Sequence, residues 1–168
     1  MLQYVKGDAT APVGNGPKII THCCNDLGRW GAGFVLALSK RWPQARDHYL
    51  SWYRGNPLLL THEVPGVEVT GHMGLGESQL IKLAPDLWVV NIIGQHGTGS
   101  GSGGRPPIRY DAIKKGFQAT ARWASILGAT VHMPRMGAGL AGGSWPSIET
   151  FVKNELVNRG VEVTVYDL

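Results

Sequence analysis

The sequence predicts one α/β domain in which helices cover both faces of a mostly parallel β-sheet. The chain has 168 residues, the length of a single ordinary domain. Short β-branched, apolar segments alternate along it with longer segments of helical periodicity, and this alternation is typical of α/β folds. Hydrophobic residues make up 43% and charged residues 17%, which excludes a disordered chain, a coiled coil and a collagen-like repeat. We expect residues 1–168 to form this one domain.

The first half of the chain is expected to contain three strands and two helices. The apolar segment KIITHCC predicts a buried strand, and Pro43 suits the first turn of a helix. In order, we predict a strand at residues 2–5, a strand at 18–24, a helix that begins after residue 33 and passes residue 40, a helix at 44–53 and a short strand at 66–70.

The second half is expected to begin with a hairpin and then to alternate helix and strand twice. Apolar residues between Ile113 and Leu127 fall near one helical face, and Gly128 predicts the end of that helix. In order, we predict hairpin strands at residues 79–83 and 87–93, a helix at 108–127, a strand at 129–133, a helix at 145–158 and a closing strand at 161–166.

The net charge and the cysteines indicate which class of ligand and which cellular compartment to expect. The formal charge of +4 fits an anionic small molecule but is too small to demand nucleic acid. Cys23 and Cys24 are neighbours in a predicted strand and point to opposite faces, so we expect reduced thiols and a cytoplasmic protein. No run approaches 18 apolar residues, so no membrane span is expected. The six histidines lack metal-ligand spacing, and we expect neither a metal nor a cofactor.

Two glycine-rich loops give the strongest indication of function. Residues 28–33 (GRWGAG) and 136–143 (MGAGLAGG) each lie between a predicted strand and a predicted helix. In α/β sheets such loops meet at the carboxyl ends of the strands, where glycines and helix N-termini favour phosphate. The pair predicts a diphosphate held from both sides, with two ordinary tight turns as the alternative. We expect a side chain at Gly137 to occupy the space of the diphosphate.

The second loop also satisfies the pattern G-x-G-x-x-G of dinucleotide-binding folds, through Gly137, Gly139 and Gly142. Such a fingerprint follows the first strand and precedes a complete βαβ unit. Here only one predicted helix and one predicted strand follow it. The topology therefore excludes a nicotinamide-dependent dehydrogenase.

Four polar residues at or in the predicted strands are further candidates. Asp8 follows the first strand and suits an adenine amino group, although a solvated turn aspartate fits equally. Asn25 suits a ribose hydroxyl or a helix cap. Asn91 lies in an apolar strand, where a buried amide needs partners and more often has a structural role. His22 is a core histidine unless its ring reaches the ligand.

Four segments together resemble the macrodomain family, in that family's order and across essentially the whole chain. They are VKGDA (residues 5–9), HCCNDLGRWGAG (22–33), NIIGQ (91–95) and MPRMGAGLAGG (133–143). The chain most resembles the branch that contains the terminal ADP-ribose protein glycohydrolase and the yeast ADP-ribose-1″-phosphate phosphatase. The resemblance implies a three-layer α/β/α domain with a six-stranded mixed sheet.

The resemblance also implies a pocket for ADP-ribose. Adenine would lie against Asp8, Tyr166 and Leu168, and the diphosphate would lie between the two glycine loops. The ligand-binding residues implied are Asp8, Ala9, Asn25, Gly31, Ala32, Gly33, Asn91, Gly137, Ala138, Gly139, Leu140, Tyr166 and Leu168.

The chain departs from the glycohydrolase of that branch at both of its catalytic positions. A lysine is replaced within residues 94–96, and an aspartate is replaced by Ala141. We therefore expect no covalent lysyl intermediate. Water would instead attack the distal ribose of ester-linked ADP-ribose, with His22, Asp26 and His96 as the candidates for proton transfer.

The function expected is an ADP-ribosyl hydrolase that binds ADP-ribose and removes it from a modified macromolecule. The expected target is an acidic side chain of a protein, and nucleic acid that carries ADP-ribose stays open as a second target. A non-catalytic reader of ADP-ribose and a phosphatase acting on ADP-ribose-1″-phosphate are the alternatives.

Overall fold

The computed structural model describes residues 1–98, 105–137 and 141–168 of the chain. Those residues form a central sheet with helices on both faces. The elements are β1 (Leu2–Lys6), β2 (Lys18–Asn25), α1 (Phe34–Arg41), α2 (Pro43–Tyr53), α3 (Pro57–Leu60), β3 (Val67–Val69), β4 (Ser78–Ala84), β5 (Leu87–Gln95), α4 (Tyr110–Leu127), β6 (Thr130–Pro134), α5 (Trp145–Glu155), a 3-10 turn (Val157–Arg159) and β7 (Val163–Asp167).

The strand order across the sheet is β1-β7-β6-β2-β5-β4-β3. The first five of these strands run parallel, and β4 and β3 continue the sheet in antiparallel pairing. The carboxyl ends of the five parallel strands therefore share one edge. β2 lies near the middle of that edge, between β6 and β5.

Each face of the sheet is buried under its own hydrophobic cluster. Ile92, Phe117 and Ile148 belong to the cluster beneath α4 and α5, whereas Leu38 and Tyr49 belong to the cluster beneath α1 and α2. Burial on both faces explains why the parallel strands have nearly continuous apolar sequences.

Helix α4 lies unusually close to the sheet. A Cβ atom at Gly116 would lie 2.3 Å from Cγ2 of Ile92, so only glycine permits this approach. The helix ends at Gly128 in the left-handed conformation, φ 63°, as the sequence predicts.

The predicted fold class is confirmed, with one correction to the sheet and small corrections to element bounds. The described residues form a sheet of seven strands, which matches the strands predicted from the sequence pattern but not the six-stranded sheet that the resemblance implies; residues 67–69 pair with β4 at the edge of the sheet. Helix α4 begins at Tyr110 because Ile108 pairs with Gln95 in an isolated bridge. The last helix ends at Glu155 and gives way to the 3-10 turn. The short helix α3, capped by Asn56, was not predicted.

Helices long and apolar enough to cross a bilayer do not occur in the described parts of the chain.

Candidate functional site

The two glycine loops lie side by side at the carboxyl edge of the sheet. One joins β2 to α1, the other joins β6 to α5, and β2 pairs directly with β6. A cavity of about 290 Å³ lies between them. Ala32 and Gly33 line it from the first loop, and Arg135 and Gly137 line it from the second.

A second cavity of about 430 Å³ continues from the first toward the end of β5. Asn25, Arg29, Gly31 and Thr98 are among the residues that line it. Both cavities are lined by Cys23, Ala32, Val35 and Gln95, so they form one groove across the ends of β6, β2 and β5. We call it the edge groove.

The edge groove contains a cysteine, but the residue lacks the character of a nucleophile. Burial raises the pKa of the Cys23 thiol to about 12 and also raises the pKa of the neighbouring Cys24 well above its ordinary value. A nucleophilic cysteine reacts as its thiolate. Both residues therefore act as small packing groups in this site.

Asn25 organises the first glycine loop. Its Oδ1 accepts hydrogen bonds from the backbone N–H groups of Leu27 (2.9 Å) and Arg29 (3.1 Å), and its Nδ2 donates to the carbonyl of Arg29 (2.6 Å). The Tyr49 hydroxyl donates to the Asn25 carbonyl at 2.6 Å.

The first loop ends in a glycine that the backbone requires. Gly33 has φ 80° and ψ −149°, a conformation that L side chains rarely adopt. No side chain caps α1, and its first residues, Phe34 and Val35, line the cavity between the loops. The open N-terminus of α1 therefore supplies backbone N–H groups and a partial positive charge to this part of the groove.

The second loop corrects our expectation for Gly137. A Cβ atom there would lie 2.7 Å from Cδ1 of Ile108 and 2.8 Å from Cδ1 of Ile148, so it would enter the apolar core rather than the diphosphate space. The φ angle of 74° is a second reason for glycine. The N–H of Gly143 donates to the Gly137 carbonyl at 2.7 Å and closes the loop. Ala138, Gly139 and Leu140 lie outside the described residues, and their place in the pocket stays a prediction.

Asp8 lies at the same edge, at the end of β1. Its Oδ1 accepts hydrogen bonds from the backbone N–H (2.9 Å) and the hydroxyl (2.7 Å) of Thr10, and the hydroxyl bond is the main cause of a lowered carboxyl pKa. Its Oδ2 lies 4.0 Å from the Arg41 guanidinium. The carboxylate is thus charged and fixed in orientation. The adjacent Ala9 is buried.

Tyr166, at the end of β7, ties the first loop of the chain to the sheet. Its hydroxyl accepts the N–H of Val13 at 3.0 Å and contacts Nδ1 of His132 at 2.7 Å. Leu168 is fully exposed at the end of the chain. Asp8, Ala9, Tyr166 and Leu168 do not line the two cavities of the edge groove; they lie along the same edge, beyond β6.

His22 and Asn91 form a buried pair. Nδ2 of Asn91 donates to the Ala45 carbonyl and to Oε1 of Gln79, each at 3.1 Å, so its Oδ1 is left to accept from Nε2 of His22. Burial lowers the pKa of His22 to about 4, so the ring is neutral at pH 7. The ring of His22 borders the smaller cavity. Asn91 was predicted to bind ligand, but it is fully buried and the structure does not bring it to the groove.

Asp26 and His96 meet where β2 and β5 end. Nδ1 of His96 lies 2.6 Å from Oδ2 of Asp26, and the other carboxylate oxygen accepts the N–H of Gly97 at 2.8 Å. Beside them, the guanidinium of Arg29 donates to the Thr98 hydroxyl at 2.9 Å. Two of the three catalytic candidates are therefore in contact, and His22 lies apart from them.

Gly94, the first of the three positions where the family's lysine would fall, has no room for a side chain. A Cβ atom at Gly94 would lie 2.3 Å from Cδ1 of Ile113 and 2.7 Å from Sγ of Cys23. Helix α4 therefore occupies the space that a side chain at this position needs. Ala141 is buried and lines the smaller cavity.

Two arginines in the edge groove were not assigned a role from the sequence. Arg29 lines the larger cavity, and Arg135 lines the smaller one while binding Asp167 through Nε (2.6 Å) and Nη2 (3.1 Å). Arg29 lies within the first glycine loop, and Arg135 lies two residues after the strand predicted at 129–133. A search for cations at strand ends would have found both.

No protein-family model matches the chain. Among solved structures, a macrodomain protein from Streptomyces coelicolor superposes with a TM-score of 0.82 at 43% sequence identity, covering 100% of this chain and 99% of that one.

Two curated proteins are similar to this chain over only part of their own length. Chromodomain-helicase-DNA-binding protein 1-like from Mus musculus is 28% identical over 180 residues, which cover 98% of this chain but only 17% of that protein. The ADP-ribose 1″-phosphate phosphatase of Candida albicans is 37% identical over 62 residues, which cover 36% of this chain and 40% of that protein. The chain therefore spans only a small part of the first of these relatives.

Proposed function

The chain belongs to the macrodomain family, and from that premise we propose that it binds ADP-ribose in the edge groove and hydrolyses ADP-ribose from modified macromolecules. The observation that carries the binding proposal is the cavity between the two glycine loops, with the open N-terminus of α1 on one wall and Arg135 on the other. Backbone N–H groups and a cation at a helix start suit a diphosphate.

The rest of the ligand then follows the edge of the sheet. From β1 to β5 the edge spans four strand spacings, about 19 Å at roughly 4.8 Å each. Adenine would lie toward Asp8, whose fixed carboxylate is an acceptor for its amino group. The distal ribose would lie in the larger cavity beside Asn25 and Gly31.

Hydrolysis is proposed to use water rather than a residue as the nucleophile. Residues 94–96 contain no lysine, residue 141 is alanine rather than aspartate, and the Cys23 thiol is protonated. The groove would hold the distal ribose so that water reaches C1″, and positioning with electrostatic stabilisation would supply the rate. An ester to an aspartate or glutamate side chain suits this apparatus because the leaving carboxylate is already stable. The proposed partner is accordingly an ADP-ribosylated protein.

One experiment separates catalysis from binding. The chain is incubated with a protein that is mono-ADP-ribosylated on acidic side chains, free ADP-ribose is quantified by chromatography, and ADP-ribose affinity is measured by calorimetry. We expect both binding and release. Binding without release would replace the hydrolase with a non-catalytic reader, and the absence of both would refute the proposal.

Two alternatives have specific support and are tested alongside. The reader is favoured by the missing lysine and aspartate. A phosphatase is favoured by the similarity to the Candida protein, and release of phosphate from ADP-ribose-1″-phosphate would identify it, with loss of that release in His22→Ala. A parallel assay uses ADP-ribosylated nucleic acid as the substrate instead of the modified protein.

The free thiols Cys23 and Cys24 support a reducing compartment, and we propose the cytoplasm.

A further inference from the structure

Asp26 and His96 form a carboxylate–imidazole pair directly after the ends of β2 and β5. The Asp26 side chain is 17% exposed and the His96 side chain 51% exposed, so the carboxylate is sheltered and the ring reaches solvent. A carboxylate only accepts hydrogen bonds, so Nδ1 of His96 carries the hydrogen of the 2.6 Å contact. In the neutral ring Nε2 is then left with a free lone pair.

Asp26 and His96 adjoin, along the chain, residues that line the larger cavity, although the two do not line it themselves. Asp26 directly follows Asn25, and His96 directly follows Gln95, and both of those preceding residues line that cavity. The N–H of Asp26 donates to the Gln95 carbonyl at 3.2 Å, which fixes the two strand ends together. Thr98, two residues after His96, lines the cavity as well.

We propose that His96 is the general base that activates water at the distal ribose, and that Asp26 is the residue that positions it. This inference rests on the proposed hydrolase function. A general base is commonly held in orientation by a neighbouring side chain, and Asp26 has that relation to His96.

His22 is unsuited to the same task. Its Nε2 donates to Asn91, its ring is 1% exposed, and the Asn91 amide is locked by two further acceptors. His96 has an exposed ring and releases its proton directly.

The proposed step balances without any further reactant. Nε2 of His96 takes one proton from water as the water oxygen forms a bond to C1″. The bond from C1″ to the ester oxygen breaks, and its electron pair leaves with the carboxylate of the target. The products are free ADP-ribose with a new C1″ hydroxyl, the target carboxylate, and an imidazolium that returns its proton to solvent.

The test compares variants in the release assay and in calorimetry. His96→Ala is expected to lower kcat by roughly 10²-fold or more, with ADP-ribose affinity changed by less than about threefold. Exogenous imidazole is expected to restore part of the lost rate. Asp26→Asn is expected to lower kcat by a smaller factor, with KM within about threefold of wild type. His72→Ala, at an exposed histidine outside the edge groove, is the matched control and is expected to match wild type.

The outcomes distinguish this inference from the proposed function. If wild type is active and the kcat of His96→Ala lies within about threefold of it, the role of His96 alone is overturned. A wild type that binds ADP-ribose but releases none overturns both hydrolysis and the general base. A kcat of Asp26→Asn equal to that of wild type, or a change confined to KM, overturns the positioning role of Asp26.

Discussion

Gly137→Ala separates the part of the second glycine loop that supports the fold from the part that faces the ligand. The new Cβ atom would lie 2.7 Å from Ile108 and 2.8 Å from Ile148, both closer than carbon atoms tolerate. Overpacking of this kind costs about 1–3 kcal/mol. The left-handed φ of 74° costs a further 1–2 kcal/mol or so for an L residue. The free energy of unfolding should therefore fall by roughly 2–5 kcal/mol.

For a domain of this length each kcal/mol lowers Tm by roughly 2–4 °C, so we expect Tm to fall by roughly 4–20 °C. Gly31→Ala is the matched control. Nothing lies within 4 Å of a Cβ at Gly31, and its φ is outside the left-handed region, so its Tm should stay within about 2 °C of wild type. Gly31→Ala should weaken ADP-ribose binding instead, because the methyl group enters the larger cavity.

Thermal unfolding followed by circular dichroism and calorimetric titration with ADP-ribose below the transition measure the two effects separately. A Gly137→Ala protein with the wild-type Tm but no affinity for ADP-ribose would refute the reasoning. That result would mean that the Cβ atom enters the groove and not the core.

Three further predictions test charge, the adenine end and the buried histidines. Ala32 lines both cavities, so Ala32→Asp would place a carboxylate beside the proposed diphosphate. Like charges about 4 Å apart repel by about 1–4 kcal/mol, so this variant should bind ADP-ribose at least roughly tenfold more weakly than Ala32→Asn. Equal affinities of the two variants by calorimetry would contradict the diphosphate placement. Asp8→Ala should weaken adenosine-containing ligands and leave ribose-5-phosphate affinity unchanged, and a parallel loss of both would contradict the adenine assignment. Burial lowers the pKa of His22 and of His132 to about 4 each, below the ordinary value of about 6.5, so the unfolded chain binds protons first as the pH falls. The contribution of the two neutral rings to the free energy of unfolding is therefore fully present above about pH 6.5 and falls by about 2 kcal/mol for each histidine by pH 5. A free energy of unfolding, measured with denaturant, that stays constant between about pH 7.5 and pH 5 would contradict this prediction.

The sequence predicted the layered fold because hydrophobic periodicity and glycine placement are local signals. The strand at residues 18–24 and the helix that ends at Gly128 both depend on their own residues, and the structure has them with small changes of bounds. Ile108 was predicted to lie in the helix but precedes α4, because tertiary contacts determine its conformation. Its side chain continues the apolar face of α4, but its N–H donates to the Ala141 carbonyl in the second glycine loop.

The candidate site was less predictable because its geometry depends on contacts distant in sequence. Gly137 requires glycine because Ile108 and Ile148 lie against it, and neither is close in the chain. The contact between Asp26 and His96 depends on the register of β2 against β5, in which a bulge at Cys24 and Asn25 aligns Asn25 with Gln95. Residue types suggested both members as candidates, and only the register brings them together.

A crystal structure of the chain with ADP-ribose tests most directly whether the two glycine loops hold a diphosphate between them. The account predicts both phosphates in the cavity between the loops, within hydrogen-bond distance of backbone N–H groups from residues 31–35 on one side and from the loop that begins at Gly137 on the other. A diphosphate bound to only one loop, or bound away from the carboxyl edge of the sheet, would contradict it.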